Sequence, residues 1–265
     1  MESPLPRRRS WRKIIMLTLL TLFLLPVAAR AALFVFEDRP DSWRNADWSS
    51  IGALPAASAH PEARILVLSG RTGGLKGLVA VHSWIVFKRQ NASSWTRYDV
   101  VGWGNPVRLN GWAPDGRWFG TAPTVVTDVR GDKAEAMIPA IEKAVKDYRY
   151  ANSGDYRLWP GPNSNSFVAA VLRSVPEMQT VMPPNAIGRD FRPTPYFGWT
   201  DSGTGIEANL YGLLGVKAGW IEGLEVNFMG LVAGLDIREP AVKLPGFGRI
   251  GLPSSSANAA LMPRN

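Results

Sequence analysis

Four consecutive polar residues, Asn163-Ser164-Asn165-Ser166, follow the turn-forming Pro160-Gly161-Pro162 and open an apolar stripe of helical period. Asn163 and Ser164 are N-cap candidates. Phe167, Val171 and Ser174 recur at helical spacing with Ala170 on the same face, and Pro176 stops the helix. The cluster therefore sits at a helix N-terminus, where free backbone N–H groups and the macrodipole favour negative charge. A serine nucleophile or an oxyanion would be stabilised there, although a well-capped helix after a turn accounts for the same residues. The base such a serine needs is one of two histidines, His60 and His82. His82 lies inside the strongest strand pattern in the chain, 78–87, sharing a face with Trp84 and Val86 while Val81, Ser83, Ile85 and Phe87 point the other way. Paired with Ser164, His82 would take the hydroxyl proton while Ser164 attacks an amide or ester carbonyl. Asp99, on the predicted partner strand over 97–104, is the candidate orienter of His82, with an exposed carboxylate as its alternative reading. Asn163 and Asn165 would supply an amide to the oxyanion or to His82, or serve as caps.

The elements that must position these residues read as an α+β chain. A buried strand is expected over 64–70, the His82 strand and its hairpin partner follow, and another strand covers 124–129. Asp132 opens a helix over 133–148 with Met137, Ile141, Val145 and Tyr148 as its stripe and Pro139 as a kink or restart. The loop 183–191 is placed to lie over the site. From 205 to 252 glycine is frequent and apolar residues alternate. Strands over 224–237 and 241–252, turned at Arg238-Glu239-Pro240, would add to the main sheet as a β appendage. The expected organisation is an N-terminal segment 1–36, a linker 37–60 packing through Trp43 and Trp48, a core 61–200, a β-rich extension 201–252 and a disordered tail 253–265. No internal repeat is evident.

Of the net charge of +8 on 265 residues, five units belong to residues 1–31, where Arg7, Arg8, Arg9, Arg12, Lys13 and Arg30 oppose Glu2. With no basic run longer than Lys88-Arg89 in the remainder, no nucleic-acid footprint is expected. The basic start leads into an apolar run, 14–29, and Ala29-Arg30-Ala31 fits a small-x-small cleavage site. Both a cleaved signal peptide and an uncleaved membrane anchor satisfy this layout, and either places residues 37–265 outside the cytoplasm. The expected location is thus the inner membrane facing the periplasm, or the periplasm itself if residues 1–31 are removed. The chain has no cysteine, so disulfides and thiolate catalysis are excluded. Two histidines do not make a multi-histidine metal site, and no cofactor is expected.

Asn163-Ser164-Asn165-Ser166-Phe167 resembles the Asn-Cys-Asn-x-Phe stretch of the circularly permuted papain-like hydrolases, the PPPDE and lecithin retinol acyltransferase-like groups. The 81–86 stretch with its hairpin partner resembles their His-bearing strand pair. The resemblance implies a permuted papain-like core, a small antiparallel sheet packed on helices, with Ser164 where those proteins carry a nucleophilic cysteine and His82 as general base. Serine in place of cysteine is a departure, since a hydroxyl needs base, tautomer and oxyanion hole together. Over roughly 60–195 the chain resembles more closely the bacterial, membrane-associated domain of unknown function 3750 family, through Pro160-Gly161-Pro162-Asn163-Ser164-Asn165 and Asn185-Ala186-Ile187-Gly188-Arg189-Asp190. That family implies no activity. Export implies a membrane partner and a cell-wall or envelope acyl or peptide substrate. An inactive binding module, offering Trp95, Trp103, Trp112, Trp118 and Trp159 to glycan or peptide, and a structural membrane-tethered protein are the alternatives.

Overall fold

A computed structural model describes residues 11–252. A single apolar helix, Trp11–Phe34, comes first and is long and apolar enough to cross a membrane. It comprises α1 (Trp11–Leu19), a π-helical turn (Leu20–Leu24) and α2 (Leu25–Phe34). Its 24 residues rise about 36 Å at 1.5 Å each, against a hydrocarbon core of about 30 Å. Arg30, buried at the end of this helix, pairs with Glu37 at 2.9 Å, and Glu37 also holds Arg71.

Two antiparallel sheets follow. The first runs in the order β4-β3-β2-β1-β5, from β1 (Arg64–Arg71), β2 (Val81–Lys88), β3 (Thr96–Val100), β4 (Val107–Leu109) and β5 (Thr124–Arg130). Pleating divides its core in two. Ile65, Val67, Ile85 and Phe87 meet α3 (Gly131–Lys146) and α4 (Ser164–Leu172) through Ile138, Ile141, Phe167 and Val171. Leu66, Leu68, Trp84 and Val86 point the other way, onto Trp118 and the half-buried Trp48. α3 runs unbroken with Pro139 inside it. The stretch 37–60 packs on this second layer rather than hanging free: Asp115 accepts from Ser50 Oγ and from the backbone N–H groups of Ala53 and Leu54. Trp48 makes the contact expected of it, whereas Trp43 is exposed.

The glycine-rich C-terminal strands do not extend the first sheet. They form a separate seven-stranded meander: β6 (Tyr196–Trp199), β7 (Gly205–Leu210), β8 (Leu214–Gly219), β9 (Gly223–Phe228), β10 (Leu231–Asp236), β11 (Ala241–Leu244) and β12 (Gly248–Gly251). The predicted strand over 224–237 is two strands, because Met229 and Gly230 both take positive φ and turn the chain back. A repeat also emerges that the sequence reading missed. Gly205-Ile206-Glu207-Ala208-Asn209-Leu210-Tyr211-Gly212-Leu213 returns as Gly223-Leu224-Glu225-Val226-Asn227-Phe228-Met229-Gly230-Leu231. Each copy is a strand and its turn: Asn209 Oδ1 accepts from Gly212 N at 2.7 Å and Asn227 Oδ1 from Gly230 N at 2.8 Å. Tyr211-Gly212 has the same positive-φ pair. The expected tail, 253–265, lies outside the described residues.

Candidate functional site

Gly70 pairs with His82 across β1 and β2, and His82 shares its face with Trp84, against the second core layer. In β3, Tyr98 faces the helices, so Arg97 and Asp99 point away from them, toward His82. The result is a buried polar cluster. His82 Nε2 and Asp99 Oδ1 are 2.8 Å apart. Arg97 grips the same carboxylate with two donors, Nε to Oδ2 at 2.6 Å and Nη2 to Oδ1 at 3.0 Å. Aromatic rings close the cluster: His82 stacks on Trp118 with centroids 3.7 Å apart and planes 3° from parallel, and the Arg97 guanidinium lies 4.2 Å from the centre of the Trp84 ring. Arg97 and Asp99 are both fully buried.

The predicted orienter Asp99 is thus bonded to His82. Arg97, which the sequence reading overlooks, is the third member, and its signal was available: position i−2 from Asp99 on one strand is the same face.

Burial disfavours a charged imidazole and outweighs the attraction of Asp99, so His82 titrates below its ordinary 6.5. Burial alone would raise Asp99, but bonding to His82 and the Arg97 charge hold it below its ordinary 3.8. The unfolded chain therefore takes up a proton at His82 before the folded chain does. Stability is expected to fall as pH drops below about 6.5, and again below about 3.8 as Asp99 is neutralised. Unfolding midpoints of the full chain in detergent between about pH 8 and 5 check this, with the fall flattened in His82→Gln.

Ser164 is placed differently. It opens α4, whose Phe167, Val168 and Val171 pack on Ile85 and Phe87, the face of β2 opposite His82. Asn163 is the N-cap: its Oδ1 accepts from the backbone N–H of Asn165 at 2.9 Å and of Ser166 at 3.1 Å. Those two N–H groups are therefore taken by the cap. Asn163 Nδ2 donates to Leu158 O and Ile187 O, and Asn165 Nδ2 to Val81 O and Ile187 O. Ser166 Oγ donates to Gly188 O at 2.7 Å. The polar run is therefore a clasp that ties the 183–191 loop and the start of β2 to α4. Gly188, with φ +95°, passes so close that a Cβ there would stand 2.2 Å from Asn163 Nδ2.

Two cavities border the first sheet. The larger, about 770 Å³, lies between β5, the 178–185 loop and β10 to β12. It is lined by Arg130, Lys133, Arg238, Lys243 and Arg249 together with Asp128, Asp236 and Glu239, which pair with Arg130 and Arg249. The second, about 400 Å³, shares Ser69, Val81, Thr124, Asn185 and Phe247 with it and reaches Arg30 and Leu33 in the apolar helix. Neither His82 nor Ser164 lines either cavity.

A third polar assembly lies under the C-terminal sheet. Lys217 bonds Asp190 at 2.6 Å, Arg189 bonds Glu225, Lys243 bonds Glu225 at 2.6 Å, and Arg192 bonds Glu207 at 2.9 Å. Burial would raise Asp190, but Lys217 and Arg189 hold its pKa far below the ordinary carboxylate range. These pairs join the 189–192 stretch to β7, β8, β9 and β11 and fix the sheet on the core.

Together these features define an α+β protein of two antiparallel sheets with an apolar N-terminal helix. Residues 62–191 match the family model described as Protein of unknown function (DUF3750), and over that stretch the chain belongs to this family. No curated protein and no solved structure matches the chain.

Proposed function

We propose that this is an exported, membrane-anchored envelope protein whose core binds a ligand and does not hydrolyse one. The observation that carries this reading is that α4, which Ser164 opens, packs on the Ile85 and Phe87 face of β2, whereas His82 lies on the opposite face against Trp118. A serine hydroxyl is activated only by a base within hydrogen-bond reach, and His82, bonded to Asp99 through Nε2, is stacked on Trp118 in the core layer away from α4. The chain order, a His-bearing strand before a capped helix, supports descent from a permuted papain-like fold. The clasp has then replaced the nucleophile pocket.

The two adjoining cavities are the better ligand site. Their combined size suits a molecule of several hundred Å³, with more cations than carboxylates lining the larger cavity and the apolar helix beside the smaller. An amphipathic, anionic envelope molecule, such as one bearing an acyl chain, meets that distribution. The test exposes the full chain, purified in detergent, to a serine-reactive fluorophosphonate and to a photoreactive fatty acid. The expected result is no serine labelling and crosslinks within 178–185 or 238–252. Fluorophosphonate labelling abolished by both Ser164→Ala and His82→Ala would establish the hydrolase instead.

A further inference from the structure

Water-exposed antiparallel sheets carry apolar residues on the buried face and polar ones outside. The C-terminal sheet reverses this. Its inward face carries Val232 and Ala241 but also Glu207, Asn209, Lys217, Glu225, Asn227 and Lys243, these six all engaged in the buried polar assembly. Its outward positions are apolar on every strand: Phe197 and Trp199 on β6, Ile206 and Leu210 on β7, Leu214 and Val216 on β8, Leu224 and Val226 on β9, Leu235 on β10, Val242 on β11 and Ile250 on β12. These residues are exposed, Phe197 by 80% and Val216 by 52%. Six strand spacings of about 4.8 Å and six-residue strands give a face of roughly 29 by 20 Å. A patch of that size is at the upper limit for a soluble monomer.

Among the described residues, the segment seated on this face is the apolar helix. Phe23, buried in the π-helical turn, packs on Phe228 with ring centroids 5.5 Å apart, and Ala233 beside it is buried. β9 and β10 are at the middle of the sheet. The helix and the sheet thus present one continuous apolar surface, and a helix packed through its middle against the central strands obstructs flat pairing with the sheet of a second copy.

We infer that the outward face of the C-terminal sheet is a membrane-inserting surface, covered by the acyl chains of one leaflet beside the N-terminal helix. The occupant is lipid. The sheet lies on the bilayer rather than across it, because its edge strands β6 and β12 leave backbone groups that hydrocarbon cannot satisfy. Trp199 and Trp220, exposed toward one end of the strands, supply the amphipathic rings favoured at the headgroup level. This goes beyond the ligand-binding reading, which concerns cavities on the other side of the sheet.

The absence of cysteine makes the test direct, since any introduced thiol is unique. The full chain is reconstituted in phospholipid vesicles with a nitroxide at Ile206→Cys, Val216→Cys or Leu224→Cys, and at Lys146→Cys on the exposed end of α3 as the aqueous reference. At the three sheet sites, collision with a water-soluble nickel chelate is expected to be several-fold lower than at Lys146 and collision with oxygen higher. Nickel access equal to that at Lys146 at all three overturns the inference. So does spin–spin broadening among copies that persists when the protein is diluted in lipid, which would assign the face to a second copy. Three separate sites keep one misfolded variant from deciding the outcome.

Discussion

Replacing Gly188 with alanine is expected to destabilise the fold by about 3–5 kcal/mol, the sum of a strained backbone and broken buried hydrogen bonds. Gly188 has φ +95°, a conformation that L side chains rarely adopt, and its Cβ would stand 2.2 Å from Asn163 Nδ2 and 2.7 Å from Cγ. The loop cannot retreat cheaply, because Ser166 Oγ is bonded to Gly188 O and both asparagine amides are bonded to Ile187 O. The clash therefore pushes Asn163 off a position where it caps α4 and satisfies Leu158 O. Asn163→Ala alone removes the cap and leaves buried acceptors unpaired, costing about 2–3 kcal/mol. In the double variant the clash partner is gone, so the combined loss is expected to be clearly less than the sum. Denaturant unfolding of the four proteins measures this. Additivity would show that Gly188 and Asn163 do not meet.

Arg97→Met should cost a similar amount, about 3–5 kcal/mol, by leaving the carboxylate of Asp99 buried with only a neutral histidine as partner. Neither Arg97 nor Asp99 is exposed at all, so solvent screening does not soften the loss. The guanidinium also stacks on Trp84, and methionine keeps the volume without the charge. Removing both charges in Arg97→Met/Asp99→Leu is expected to recover a large part of the loss, because the penalty comes from the unpaired charge rather than from the absent pair. A double variant as unstable as the single one would mean that Arg97 acts through its contacts with the tryptophans alone.

Much of the core was legible because its signals are local. The capped start of α4 follows from Asn163 and the Pro-Gly-Pro turn, and the His82 strand from its alternation. The pairing of His82 with Asp99 follows from two neighbouring strands. The sequence-level alternation even placed His82 with Trp84 and away from Ser83 and Ile85. What alternation along one strand cannot tell is which of its faces a helix will cover. α4 chose the side of Ser83, Ile85 and Phe87, so the helix that Ser164 opens packs on the face of β2 opposite His82. The same limit explains the C-terminal sheet. Alternation from 205 onward announced strands, but a period of two reads the same whether the apolar or the polar face turns inward.

The amino-acid sequence by itself determined many of the elements: the apolar N-terminal segment, the capped α4, the His82 strand and the membership of residues 62–191 in their family. Hydrogen-bonding and side-chain period act within a few residues, and so are written locally. Only the tertiary structure decided which faces meet. It paired Arg97 and Asp99 under Trp118, converted Asn163 to Ser166 into a clasp on the 183–191 loop, and turned Glu207, Lys217 and Glu225 inward beneath an apolar exterior. Those outcomes depend on charges finding partners far along the chain, such as Asp190 for Lys217 and Arg189 for Glu225, because a buried charge is tolerable only where an opposite charge is already in place.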